Sequence, residues 1–133
     1  MSVDDQAENP TLLSELEAVS PVDGRYAYLT IPLRKVCSEM ALMRYRIQVE
    51  VEWLKTLARE PNIGDLNTFT EAEDAALDEI TNGVDISEAR RIKTIETTAK
   101  HDVKAVEYYL REKLNGQPTL KPAIPFIHFA CTS

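Results

Sequence analysis

Three short clusters hold the side chains best suited to chemistry in this chain of 133 residues. Arg25 and Tyr26 follow the turn-forming run Pro21-Val22-Asp23-Gly24, and a guanidinium beside a phenol offers phosphate a planar fork of donors. Lys100-His101-Asp102 opens an apolar-periodic segment. A histidine there can donate a hydrogen bond or move a proton near neutral pH, and free amides at a helix start favour an anion. Thr132 and Ser133 follow the run His128-Phe129-Ala130-Cys131, where hydroxyls beside backbone amides can bind a carboxylate. Each cluster also has a plainer reading. Arg25 would be an exposed cation and Tyr26 a ring packed on the nearest helix. Asp102 would be an N-cap, with Lys100 solvated and His101 on the surface. Thr-Ser occurs in any loop.

Helices must position these groups. From Ser38 to about Arg59, Met40, Met43, Ile47, Val51, Leu54 and Ala58 recur at steps of three and four, giving one apolar stripe. Leu42, Val49, Trp53 and Leu57 make a second stripe on another face, so this helix is expected to be sandwiched between neighbours, with another subunit as one candidate. Thr70-Glu71-Ala72-Glu73 fits a capping box, and the helix it opens should run through Ala76, Leu77 and Ile80 to Asn82-Gly83. Ser87 opens a further helical stretch with Ala89, Ile92 and Ile95, which Thr97-Thr98-Ala99-Lys100 should interrupt or weaken. Val103, Val106, Leu110 and Leu114 give a third stripe, closed by Asn115-Gly116 and Pro118. Pro122, Pro125 and an apolar run from Phe126 to Cys131 make up the tail. No segment alternates as a strand, so the fold class is all-α. Residues 1–20, polar with scattered leucines, are expected to form a mobile arm, and residues 21–133 one helical domain.

Composition narrows the classes of function. Hydrophobic residues at 44% and charged residues at 28% describe a soluble globular chain of one-domain size. A formal charge of -7 argues against non-specific nucleic-acid binding, while leaving room for one phosphorylated ligand held by well-placed cations. No apolar run approaches the ~20 residues that span a bilayer, and the acidic N-terminus is unlike a signal peptide. Cys37 and Cys131 read as two reduced thiols of a cytoplasmic protein. There is no Gly-rich phosphate loop, no Cys/His cluster for metal and no nucleophile with a recognisable partner. The carboxylates from Glu71 to Glu79 read as a solvated helix face.

Taken together, the clusters resemble one family in order and spacing. Ala18-Val19-Ser20-Pro21-Val22-Asp23-Gly24-Arg25-Tyr26 resembles the opening of bacterial adenylosuccinate lyases. So do Arg44-Tyr45-Arg46-Ile47-Gln48-Val49-Glu50-Val51-Glu52-Trp53-Leu54 and Arg91-Ile92-Lys93-Thr94-Ile95-Glu96. The runs from His101 to Tyr109 and from Ile127 to Ser133 complete a collinear match from about Glu15 onward.

The resemblance implies an enzyme that eliminates fumarate from adenylosuccinate and from the related succinylated imidazole-carboxamide ribotide. It implies a helical fold of the fumarase/aspartase superfamily, a homotetramer in the intact protein, and no metal or organic cofactor. It also implies substrate-binding roles for Arg25 and Tyr26 at the nucleotide phosphate, for Lys100, His101 and Asp102 beside bound substrate, and for Thr132 and Ser133 at a substrate carboxylate. His101 is expected to assist rather than serve as the acid. Where this chain has Lys100 the family often has Asn or Arg, so a donor is kept without planar geometry. The family's principal catalytic histidine, in a Thr-His-Gly motif, and its catalytic serine fall beyond residue 133. The chain is therefore expected to be an N-terminal fragment, cut before the central helical bundle and inactive alone. A stand-alone helical interaction module and a sister lyase such as argininosuccinate lyase are the rival readings, the latter disfavoured by the Pro-Val-Asp-Gly-Arg-Tyr and His-Asp-Val-Lys-Ala-Val runs.

Overall fold

A computed structural model describes residues 14–128, and the described residues form helices and turns with no strand. The first thirteen residues of the expected arm lie outside that range, and residues 15–20 are in turns and bends. The chain divides into two compact units at Ser38/Glu39.

In the first unit, three short pieces follow one another: α1 (Ala27–Thr30), a 3-10 turn (Ile31–Leu33) and α2 (Arg34–Cys37). Pro32 accounts for the break between α1 and α2, since it has no N–H to donate back along a helix. None of these pieces carries a buried residue, and Tyr28, Leu29, Ile31, Leu33 and Val36 are all exposed.

The second unit is a helical bundle built on α3 (Glu39–Arg59), α4 (Glu71–Asn82), α5 (Ile86–Ala99) and α6 (Asp102–Asn115), followed by a 3-10 segment, Lys121–Phe126. The expected α3 stripe faces the core: Met43, Ile47, Val51, Leu54 and Ala58 are buried, and Met40 packs against them. Burial of this kind stabilises a fold by about 25 cal/mol per Å² of apolar surface removed from water. Three residues of the second stripe, Leu42, Val49 and Trp53, are uncovered in this chain at 47%, 39% and 43% exposure, while Leu57 is half-buried against the core. Val49 and Trp53 border a shallow groove together with Tyr45.

Ion pairs report how the helices run. Lys55 reaches Asp78 at 2.6 Å and Arg59 reaches Asp74 at 3.1 Å, an order that sets α4 antiparallel to α3. Arg91–Glu112 and Lys113–Glu88 set α6 antiparallel to α5 in the same way. Asp74 and Asp78 therefore tie α4 to α3, which corrects the expectation that this carboxylate face is simply solvated.

Local chemistry explains most of the boundaries. The capping box of α4 is complete: the Glu73 amide donates to Thr70 Oγ1 at 3.3 Å, and the Thr70 amide donates to Glu73 Oε2 at 2.8 Å. Asp85 caps α5, its Oδ1 accepting from the Ser87 and Glu88 amides, so the helix starts at Ile86, one residue before Ser87. The interruption expected over Thr97-Thr98-Ala99-Lys100 comes at its end, where Lys100 takes the left-handed region after Ala99, and not at the threonines themselves. Thr94 and Thr97 donate their hydroxyls back to the carbonyls of Arg90 and Thr94, and the helix continues to Ala99. The proline-containing tail, whose 3-10 geometry the sequence did not suggest, closes the bundle through buried Leu120, Ala123 and Ile127.

Candidate functional site

Arg25 and Tyr26 leave a tightly hydrogen-bonded turn. The Ser20 amide donates to Asp23 Oδ1 at 2.8 Å, and the Val22 amide donates to Ser20 Oγ at 3.2 Å. The Gly24 amide donates to the Ser20 carbonyl, and the Tyr26 amide to that of Pro21. These donors hold the Asp23 carboxyl below its usual range, the Ser20 amide contributing most. Gly24 is needed for space rather than for an unusual backbone angle. A Cβ there would lie 2.6 Å from the Glu15 carbonyl oxygen and 3.1 Å from Ala18 Cβ, and no glycine has a positive φ among the described residues. The Arg25 guanidinium sits 4.6 Å from the Tyr26 ring centroid, and both residues are exposed. Guanidinium stacked on phenol leaves the donor fork open at its edge.

The corner between α5 and α6 holds the second cluster. Lys100 adopts φ 55° and ψ 24°, the left-handed region, and its amide closes α5 by donating to the Glu96 carbonyl at 2.8 Å. A lysine there carries the steric cost that glycine avoids. The next residue turns the chain into α6. His101, not Asp102, is the N-cap: its Nδ1 accepts from the Lys104 amide at 3.3 Å. The reason lies in position, since Asp102 is already the first helical residue and its carboxylate is taken by Arg46 of α3 at 2.7 Å. That bond from Arg46 is the main reason the Asp102 carboxyl is held below its usual range. An Nδ1 that accepts places the ring proton on Nε2, so the solvent-facing edge of His101, 57% exposed, is a donor.

A chain of charges runs along α6 from this corner. Lys104 Nζ donates to Glu107 Oε2 at 2.8 Å, and Arg111 pairs with Glu107 Oε1 at 2.7 Å. Arg111 also donates to the Ile127 carbonyl at 3.0 Å. Glu107 is 3% exposed, an expensive location for a carboxylate unless it is paired. The network thus secures the backbone at Ile127 and His128, the start of the third cluster. Arg46, Glu107 and Arg111 escaped the sequence reading as site-building residues. The signal for Glu107 was its place between two cations at helical spacing, adjacent to the Val106/Leu110 stripe.

Among the candidate residues, Lys100, His101 and Asp102 thus share one corner, and Arg25 and Tyr26 share one turn in the other compact unit. His128 is exposed. Thr132 and Ser133 lie outside the described residues, as does Cys131, while Cys37 is exposed. No group of three or more metal-ligating side chains occurs among the described residues, nor is any helix there long and apolar enough to cross a membrane.

No family model matches the chain. Comparison with curated proteins is more informative. It is 50% identical over 121 residues to the adenylosuccinate lyase of Vibrio cholerae, 48% to that of Haemophilus influenzae and 50% to that of Escherichia coli K12. Each alignment covers 91% of this chain and 26% of the relative, so the chain spans about a quarter of the length of the curated relatives it matches. The motif-level resemblance thus extends to whole-segment identity, and the chain is similar, over nine-tenths of its length, to the N-terminal quarter of adenylosuccinate lyases.

Proposed function

We propose that this chain is the substrate-binding N-terminal part of an adenylosuccinate lyase, a carbon–nitrogen lyase that releases fumarate from succinylated purine nucleotides in the purine pathway. The observation that carries the reading is the His101 corner. Within a segment 50% identical to named lyases, the histidine ring is fixed from behind by the Lys104 amide and turns a donor outward. Elimination of fumarate builds negative charge on the carboxylate beside the carbon that loses its proton, and donors placed in advance stabilise that charge. In this reading His101 Nε2–H and the Lys100 ammonium serve as such donors, and Arg25 with Tyr26 grips the phosphate. Asp102 orients the corner, and Thr132 with Ser133 holds a substrate carboxylate. The proton-removing and proton-donating groups come from the remainder of a lyase, so the 133-residue chain releases no fumarate alone. The reaction needs no metal or organic cofactor.

The uncovered α3 stripe supports a companion proposal. An exposed row of Leu42, Tyr45, Val49 and Trp53 is covered in the intact cytoplasmic protein, where helices from homotetramer partners or from the rest of the polypeptide are available. The same row is the one feature that favours a stand-alone interaction module.

A chimera decides between them. This chain replaces the corresponding quarter of the Escherichia coli relative, and fumarate release from adenylosuccinate is followed. The lyase reading expects a soluble, active enzyme that loses at least tenfold in kcat/KM when His101 becomes Ala, the scale on which a single positioned donor acts. A soluble, correctly assembled chimera without activity would sink the reading and favour the module.

A further inference from the structure

We propose that Arg46 is a positioning residue for His101: by holding the Asp102 carboxylate, it keeps the imidazole in its Nε2–H form with the donor facing outward. The proposal deepens the lyase reading, because it concerns the histidine which that reading assigns to substrate.

Asp102 Oδ1 lies 3.8 Å from His101 Nδ1, while Oδ2 lies 2.7 Å from Arg46. A carboxylate beside a ring nitrogen favours a proton on that nitrogen. A proton on Nδ1 would turn the acceptor of the Lys104 amide into a donor, so the cap on α6 would be lost. Nε2 would become an acceptor, unable to serve a substrate carboxylate. Arg46 opposes this twice, by neutralising the carboxylate and by engaging one of its oxygens. Its side chain is 19% exposed, so the pair is only partly screened.

The other charged groups around the corner are committed elsewhere or point to no part of this exchange. From α5, Lys93 is bound to Glu39 and Glu96. On α6, Lys104 turns its ammonium to Glu107. Lys100 lies in the corner itself, exposed. Arg46 thus comes from a helix 56 residues away in sequence to determine which nitrogen of His101 carries the proton.

The test uses the full 133-residue chain and long-range 1H–15N NMR of its two histidine rings, with exposed His128 as the internal reference. The parent should show His101 as the Nε2–H tautomer when neutral. Arg46→Met should lower the ratio of Nε2–H to Nδ1–H about tenfold, the consequence of uncovering one carboxylate within reach of the ring. His128 should not change. In an Asp102→Asn background the same substitution should have no effect, because no carboxylate remains to compete. Unchanged His101 shifts in Arg46→Met overturn the proposal, and so does an equal change in the Asp102→Asn background, which would mark a general structural effect. Should Arg46→Met fail to fold, Arg46→Lys and Asp102→Asn decide. Arg46→Lys should give an intermediate ratio, and Asp102→Asn should keep Nε2–H; an unchanged ratio in the first or a shift to Nδ1–H in the second overturns the proposal. None of these readouts depends on activity, so the lyase reading can fail in the chimera while the tautomer result stands, or the reverse.

Discussion

Glu107→Ala should be among the most damaging single substitutions of a charged residue in this chain. The Glu107 side chain is 4% exposed and meets two cations, Lys104 at 2.8 Å and Arg111 at 2.7 Å. A charge-assisted hydrogen bond contributes roughly 1.5–3 kcal/mol, and removing one partner of a buried pair costs roughly 3–5 kcal/mol. The lower end applies, because Lys104 and Arg111 are 44% and 33% exposed and can turn to water. About 3 kcal/mol is the expected loss, to be read from urea unfolding as a lowered midpoint with little change in slope. Glu107→Gln keeps the shape and one acceptor, so it should lose about half as much. The control is Lys93→Ala. Lys93 also makes two short ion pairs, at 2.8 and 2.7 Å, but on an exposed surface where such pairs contribute about 0–1 kcal/mol. If Glu107→Ala costs no more than Lys93→Ala, burial is not what gives the α6 network its strength, and the reasoning fails.

Other outcomes follow from the same geometry. Lys100→Gly should raise stability by up to about 1 kcal/mol in urea, because glycine occupies the left-handed region without the steric cost that lysine carries. His101→Ala should cost about 1 kcal/mol by loss of the cap on the Lys104 amide, against almost nothing for His128→Ala. Gly24→Ala should open the turn that carries Arg25, since its Cβ meets backbone oxygen at 2.6 Å; amide exchange at Gly24 and Tyr26 should speed up, and unchanged protection would refute the space argument. Asp102 gives a pH signature. Its folded-state pKa is depressed from the ordinary 3.8, chiefly by Arg46, so its contribution is complete above the unfolded value and disappears as pH falls through the folded one. The stability gap between the parent and Asp102→Asn should therefore be largest near pH 7 and shrink below about pH 4; a gap that widens in acid contradicts the assignment.

What the sequence could and could not announce follows from the range of the forces involved. α3, α4 and α6 were legible because burial repeats at helical spacing: Ile47, Val51 and Leu54 on one helix, Val106, Leu110 and Leu114 on another. The α4 cap was legible because both halves of the box lie within four residues. The N-cap of α6 was misread because Asp102 is intrinsically the better capping residue. The outcome was decided by Arg46, far away in sequence, which takes that carboxylate. The break expected over Thr97-Thr98-Ala99-Lys100 falls at Lys100 rather than at the threonines, for the opposite reason. Low helix propensity is a small local term, and Ile92, buried one turn earlier, anchors the helix against the core.

The same distinction of range bears on the candidate site. Motif strings locate His101 without saying which nitrogen carries its proton, and a histidine that presents an acceptor would repel the carboxylate that a donor attracts. That sense is set by a capping bond three residues away and an ion pair fifty-six residues away, neither of which has a linear signature. Arg44 and Arg46 sit two residues apart in the same motif, and it is Arg46 that engages Asp102; on a helix a two-residue step turns the side chain to a different face. A substitution that preserves the basic character of this run but shifts it by two positions would keep the charge and the helix while abandoning His101. Under the proposed reading, the unit that acts at the α5–α6 corner is therefore the trio Arg46, His101 and Asp102.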